Sequence, residues 1–195
     1  MEPYPPIIIV SLGINDDYSD EPHYVSFRLK TPINVGGEEI RRLSLRNHSY
    51  DNTIAPEGKT VLTLMIPTRC DYWTSLQDKQ DEYLAEKKRI EEAAISAVAE
   101  LYPDINNTVE VVDVATPLTL VRYTGNWRGS YQGWLFTREA MRIQVPTTLP
   151  GLANFYMAGH WVMPGGGLPA AAMAGRRAVE LMCNDENKRF ETSKP

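Results

Sequence analysis

A glycine-rich stretch near the C-terminal end has the residue types best suited to binding a ligand. Residues 154–183 read NFYMAGHWVMPGGGLPAAAMAGRRAVELMC. This pattern predicts a short apolar strand at residues 155–158, a glycine loop at residues 159–167, and a small-residue helix from residue 168 to about residue 182. Such a loop directs the free amides at a helix N-terminus toward an anionic or electron-rich ligand.

The spacing of Gly165, Gly167 and Ala170 matches the dinucleotide fingerprint G-x-G-x-x-G/A. A Rossmann unit also needs a second parallel strand after the helix, and no apolar strand follows Met182. We therefore reject the first turn of a Rossmann domain as an interpretation. The stretch can instead form the last layer of a nucleotide-binding domain, with its amides facing the electron-accepting ring of a cofactor. A tight turn with closely packed alanines remains the alternative.

A second unusual stretch, residues 123–134, contains four aromatic residues and three glycines in YTGNWRGSYQGW. One interpretation is an ordered surface loop with aromatic anchors. The other is a loop whose backbone approaches a flat ligand while the rings enclose it. The residue pattern leaves both open.

Composition excludes several classes of function. The net charge is -5 with a pI near 5.3, and the basic residues are scattered, which argues against nucleic-acid binding. Cys70 and Cys183 belong to no CxxC pair, so neither a metal site nor a disulfide framework is predicted. No signal peptide or spanning segment is recognisable near the start, which favours a cytoplasmic location.

The remaining chain predicts a mixed α+β or α/β fold. Residues 7–14, 24–29, 40–46 and 60–67 are predicted strands of a mainly antiparallel sheet. An amphipathic helix at residues 78–102 should lie across this sheet, followed by a strand at residues 108–115. Thr116 and Pro117 then resemble the start of a short helix that ends near residue 123.

Two segments together carry a family resemblance: TPLTLVRYTGNWRGSYQGW and LPGLANFYMAGHWVMPGGGLPAAAMAGR. They resemble the C-terminal part of the FAD-dependent phytoene desaturase, carotenoid isomerase and retinol saturase group. SLGIN near the start and the APEGKTVL turn and strand come in the same order as in that group, so the resemblance covers nearly the whole chain.

The resemblance implies a discontinuous, glutathione-reductase-like FAD domain with an inserted substrate domain. Residues 1–115 would be part of the substrate domain, 116–148 a connection, 149–183 the closing FAD segment with a strand, glycine loop and helix, and 184–195 a tail. The N-terminal GxGxxG half of the family is not found in this sequence. We therefore expect an incomplete site that lacks tight FAD binding by itself, with a separate N-terminal FAD-binding polypeptide as a possible partner.

The same resemblance assigns roles to individual residues. It implies that Gly159 and His160 lie near the ribityl and pyrophosphate portion of FAD, although related flavoproteins have Asp or Glu where this chain has His160. A histidine that only packs is the alternative there. Beside the isoalloxazine it implies a run of five residues: Gly165, Gly166, Gly167, Leu168 and Pro169. Its candidates for the substrate channel are Arg122, Tyr123, Trp134 and Trp161.

The implied function is an FAD-dependent oxidoreductase of the desaturase, isomerase or saturase type that acts on an apolar, carotenoid-like or retinoid-like substrate. The cofactor carries the chemistry in such enzymes, so no catalytic residue is predicted. NAD(P) as a second cofactor and peripheral contact with a membrane both stay open. The alternative is a non-catalytic split-gene subunit, or a lipid-binding or interaction module. In either case we expect exposed apolar surface, because the first strand and the alanine-rich helix would lack neighbours.

Overall fold

A computed structural model describes residues 1–192 of the chain. It divides into two compact units, of which the first is Pro5–Gly129 and the second combines Met1–Tyr4 with the described part of Ser130–Pro195. The boundary at Gly129 falls inside the predicted connection at residues 116–148. It lies there because the short helix that follows residue 116 packs with the elements of the first unit.

The first unit is built on a five-stranded, fully antiparallel sheet with the order β2-β3-β4-β1-β5. Its strands are β1 (Ile7–Ile14), β2 (Tyr24–Val35), β3 (Glu38–Asn47), β4 (Thr60–Pro67) and β5 (Val109–Ala115). The observed bounds of β1 and β4 coincide with the predicted ones. Both strands are rich in β-branched and leucine residues, which pack well on a pleated surface.

Strand β1 lies inside the sheet, between β4 and β5. Its residue Ile9 is opposite Met65 of β4 on one side and Ala115 of β5 on the other. The core-facing side chains of β1, including Ile8 and Val10, are fully buried. The expectation that this strand lacks neighbours is therefore wrong, because β5 returns from later in the chain and covers its open edge.

The helices are α1 (Cys70–Ser75), α2 (Gln80–Ala99), α3 (Ile105–Thr108), α4 (Pro117–Thr124) and α5 (Gly167–Asp185), with 3-10 turns at Trp127–Gly129 and Ala140–Arg142. Helix α2 contributes four buried residues of the predicted apolar face to the core: Ile90, Ala94, Ala97 and Val98. Helices α1 and α3 are absent from the sequence prediction. With six and four residues, they are too short to show a helical period.

The start of α4 agrees with the sequence prediction. The side chain of Thr116 accepts from the backbone of Thr119, whose own hydroxyl accepts from the Thr116 N–H at 3.1 Å. Pro117 occupies the first turn, where its missing N–H costs nothing. Gly125 ends the helix in the left-handed conformation with φ 67°.

The predicted closing strand at residues 155–158 is wrong. These residues are irregular in the structure, where the Met157 N–H donates to the Thr147 carbonyl at 2.6 Å. An apolar run becomes a strand only when a neighbour offers a hydrogen-bond ladder, and within residues 1–192 no strand pairs with this run. Helix α5 itself forms as predicted and exposes four large apolar side chains, in line with the expected exposed apolar surface: Leu168, Met173, Val179 and Met182.

A charged cluster connects α1, α2 and the β2–β3 hairpin in the first unit. Arg89 donates to both carboxylate oxygens of Glu86 at 2.7 Å and to the Asn34 carbonyl at 2.6 Å. Burial and a hydrogen bond with Glu86 raise the pKa of Tyr72 to about 12. Burial alone would raise the pKa of Glu86, but hydrogen bonds from Arg89 and Tyr72 hold that pKa below its usual value.

We expect Glu86→Gln to lower the free energy of unfolding by about 1–2 kcal/mol at pH 7, because it removes charge-assisted hydrogen bonds. A carboxyl group with a lowered pKa in the folded state stabilises the fold above its unfolded pKa of about 4.3 and loses this effect as the pH falls through the folded pKa. The deficit of the variant should therefore shrink below about pH 4. Urea denaturation at pH 7 and at pH 3 measures both effects.

The exposed pair of Lys79 and Glu82, 3.1 Å apart, supplies the control. Glu82→Gln should change the free energy of unfolding by less than about 0.5 kcal/mol at pH 7. Equal effects of the two substitutions would contradict a special role for Glu86.

Candidate functional site

The second unit brings the two glycine-rich stretches of the sequence together. We call residues 130–136 and 159–168 the glycine site. The first residues of the chain pair with residues 133–135 of this site. The Tyr4 N–H donates to the Gly133 carbonyl at 2.8 Å, and the Leu135 N–H donates to the Glu2 carbonyl at 2.7 Å. Between them, Pro3 forms an antiparallel bridge with Trp134.

Two tryptophans connect the stretches of the glycine site. The Trp134 indole N–H donates to the Trp161 carbonyl at 2.8 Å, and the two rings meet edge to face with centroids 5.0 Å apart. The Gly165 N–H donates to the Trp134 carbonyl at 3.3 Å. Both predicted channel tryptophans therefore have a structural role in holding the site together.

Some glycines of the site are explained by packing within the chain. A Cβ atom at Gly133 would lie 2.5 Å from the His160 carbonyl oxygen, and one at Gly166 would lie 2.0 Å from the Gln132 carbonyl oxygen. No side chain fits at such distances. For these two positions, the interpretation of glycine as a packing requirement is sufficient.

Other glycines have open space beside them. A Cβ atom at Gly159 would meet no atom within 4 Å, and one at Gly167 would meet its nearest neighbours at 3.8 Å. These two positions could accept a ligand close to the backbone. Among the predicted cofactor glycines, Gly159 and Gly167 are therefore the two with open space beside the backbone.

His160 contributes an unsatisfied polar atom to the site. Its Nε2 is buried and has no hydrogen-bond partner among residues 1–192. The ring lies 5.6 Å from the Trp161 ring in a tilted arrangement. A buried polar atom without a partner costs about 1–3 kcal/mol, which makes His160 Nε2 a candidate hydrogen-bonding atom for a bound group.

The N-terminus of α5 completes the site. Gly166 precedes the helix with no side-chain cap, and Pro169 in the first turn has no N–H to satisfy. Leu168 is 87% exposed. The amides of Gly167 and Leu168 therefore lie at the positive end of a 19-residue helix, which favours negative charge on a ligand.

The other two channel candidates lie on α4, in the first unit. The Arg122 guanidinium lies 5.4 Å from the Tyr123 ring, and Tyr123 is strongly exposed. Both line a cavity of about 200 Å³ together with five more residues: Gln77, Gln80, Tyr83, Leu118 and Thr119. This volume is below the range of about 300–1,000 Å³ that is typical of ligand pockets.

Two residues of the glycine site escaped the sequence prediction. The Gln132 carbonyl packs against Gly166, and the Phe136 ring would lie 3.3 Å from a Cβ atom at Gly165. Gln132 lies inside the aromatic and glycine stretch, so that stretch could have indicated it. Phe136 lies just beyond the stretch, and nothing in the sequence singles it out.

Neither metal binding nor membrane crossing finds support in the described residues. Within residues 1–192, no cluster of three or more His, Cys, Asp or Glu side chains could hold a metal ion. No helix in the same residues combines the length and the apolar character needed to cross a bilayer.

No protein-family model matches the chain. The chain is similar to the chloroplastic prolycopene isomerase of Daucus carota, with 25% identity over 136 residues that make up 69% of this chain and 22% of the carrot protein. The chloroplastic prolycopene isomerase of Arabidopsis thaliana gives the same values. Prolycopene isomerase 2 of an Oncidium hybrid cultivar is also 25% identical, over 23% of its length.

The similarity indicates a distant relation to the prolycopene isomerases. It supports the broad family that the two sequence segments resemble. The chain spans about a fifth of the length of these relatives.

Proposed function

We propose that this chain forms the closing segment of an FAD-dependent oxidoreductase of the isomerase type, with a carotenoid-like polyene as substrate. The observation that carries the proposal is the unsatisfied Nε2 of His160 next to the open backbone of Gly159. The distant similarity to prolycopene isomerases supports the polyene substrate. Retinoid-like substrates and the saturase and desaturase reactions are finer alternatives within the same proposal.

The chain's own residues would position the cofactor. The open faces of Gly159 and Gly167 let a flat group approach the backbone, and the Nε2 of His160 supplies one hydrogen-bonding atom. The amides of Gly167 and Leu168 favour negative charge on the ring. Trp134 and Trp161 keep both stretches in place. FAD, when bound, supplies hydride or electron transfer.

The dinucleotide-binding half is proposed to come from outside these 195 residues. The family's GxGxxG strand, turn and helix has no counterpart in the sequence, and the relatives are more than four times as long as the segment that they share with this chain. A separate polypeptide that carries this half is the proposed partner. If such a partner does not exist, the exposed apolar surface of α5 favours an interaction or lipid-binding module instead.

Flavin binding tests this proposal. We expect the purified chain alone to show no stoichiometric absorbance near 450 nm after incubation with FAD and desalting. After mixing with a polypeptide that carries the GxGxxG half, the desalted complex should retain flavin. Stoichiometric flavin on the chain alone would overturn the incomplete site, whereas no flavin on the complex would overturn the cofactor assignment.

Two substitutions at one exposed position provide the matched comparison. Leu168→Asp puts a carboxylate beside the amides that would face the ring, and it should weaken flavin binding by the complex by roughly tenfold, equivalent to about 1.4 kcal/mol. Leu168→Ala removes the same side chain without adding charge and should keep the affinity within about twofold, a difference of about 0.4 kcal/mol. Equal affinities for the two variants would argue against a role for the helix N-terminus.

A further inference from the structure

A groove on the second unit has no place in the proposed flavin function. Its cavity measures about 530 Å³. It is lined by eight residues: Thr147, Val162, Met163, Met173, Ala174, Arg176, Arg177 and Glu180. The volume falls within the range of about 300–1,000 Å³ that is typical of small-molecule sites. None of the residues that we assign to flavin contact is among the eight.

One part of the lining is apolar and adaptable. Val162 and Met163 come from the glycine loop, and Met173 and Ala174 come from α5. Methionine side chains are flexible and polarisable, so they adjust to apolar ligands of irregular shape. This part of the groove therefore fits a hydrocarbon chain.

The other part of the lining carries an uncompensated positive charge. Glu180 is the one carboxylate in the lining, and Arg176 already pairs with it at 2.8 Å. Arg177 takes part in none of the ion pairs found within residues 1–192. With its amide oxygen turned toward the guanidinium, Gln144 accepts from Arg177 Nη2 and, at 3.1 Å, from Nη1. A neutral amide leaves the charge of Arg177 available to an anion.

We propose that this groove binds an amphiphilic anion, with its carboxylate or phosphate head on Arg177 and its apolar chain along Met163 and Met173. An arginine fork matches both head groups in a two-point geometry. The assignment is independent of flavin, because it uses neither the glycine faces nor the α5 N-terminus. Its test therefore has an outcome that does not depend on whether the proposed oxidoreductase function is correct.

Calorimetric titration of the full chain with dodecanoate and dodecyl phosphate below their micelle concentrations, and with dodecanol below its solubility limit, tests this site. We expect the two anions to bind with one-to-one stoichiometry and dodecanol to bind at least tenfold more weakly. The stronger of the two anions identifies the preferred head group. Failure of both anions to bind, or equal binding of dodecanol, would overturn the proposal.

Substitutions of charged residues inside and outside the groove lining provide a second test. Arg177→Gln should weaken anion binding at least tenfold, and Arg138→Gln, the same change at an exposed position outside the lining, should leave it within twofold. Glu180→Gln should act in the opposite direction and tighten binding at least twofold, because it frees Arg176. This gain keeps the test valid even if Arg177→Gln folds poorly. Equal affinity of all three variants would show that the groove does not recognise anions.

Discussion

Gly166→Ala should disrupt the glycine site and lower the stability of the second unit by about 2–6 kcal/mol. The new Cβ atom would lie 2.0 Å from the Gln132 carbonyl oxygen, which is backbone and cannot move aside alone. Gly166 also adopts φ 59° and ψ -173°, a region that is essentially restricted to glycine. The backbone strain of about 1–3 kcal/mol and an overpacking cost of similar size act together.

Near-ultraviolet circular dichroism can follow this effect, because the edge-to-face contact of Trp134 and Trp161 lies inside the site. Amide hydrogen exchange of residues 130–136 should accelerate in the same variant. The neighbouring Gly167→Ala is the control, with φ 75° but no atom closer than 3.8 Å to the new Cβ. It should cost only the backbone term of about 1–3 kcal/mol. Equal costs at the two positions would contradict the packing explanation for Gly166.

The second large effect is expected in the first unit. Trp73→Ala should lower the free energy of unfolding by about 3–5 kcal/mol, because it removes the largest fully buried side chain of the core. Its indole N–H donates to the Thr68 hydroxyl at 2.9 Å, and its ring meets Tyr72 and Tyr83 edge to face. The substitution therefore leaves a cavity and a buried hydroxyl without its partner.

Urea denaturation monitored by far-ultraviolet circular dichroism measures this loss. Trp127→Ala removes an indole that is 57% exposed, so it should change the free energy of unfolding by less than about 0.5 kcal/mol. If the two tryptophan variants were equally stable, Trp73 would not be a core residue in solution.

Trp73 also shows where prediction from the sequence ends. The strands β1 and β4 could be predicted because each alternates or repeats β-branched residues over eight positions. Helix α1, which carries Trp73 into the core, has six residues, and its N-cap residue Arg69 makes no side-chain cap hydrogen bond. Its position depends on tertiary contacts of the tryptophan, which leave no local signal.

The strand prediction for residues 155–158 was wrong for the opposite reason. Its composition suits a strand, but a strand is defined by its neighbours, and the Met157 N–H finds only a loop carbonyl. The predicted helix after it formed because a helix satisfies its own backbone hydrogen bonds. Local sequence therefore sufficed for α5 but not for the segment that precedes it.

The glycine site illustrates the same limit for function. The spacing of Gly165, Gly167 and Ala170 draws attention to the right loop, but it does not distinguish a glycine that packs from one that leaves space. That distinction depends on Gln132, which is 34 positions away from Gly166 and meets it only in three dimensions. Of the seven candidate cofactor residues, Gly159 and Gly167 have open space beside the backbone, and His160 has an unsatisfied polar atom.

The pairing of the first four residues with Gly133 and Leu135 has a consequence for the order of assembly. The residues that close the glycine site are separated in the sequence by the whole first unit, so their contact is of very long range. During synthesis residues 1–4 emerge before residues 133–135 and stay unpaired with them until those residues have left the ribosome. The first unit can therefore reach its native structure before the glycine site is complete.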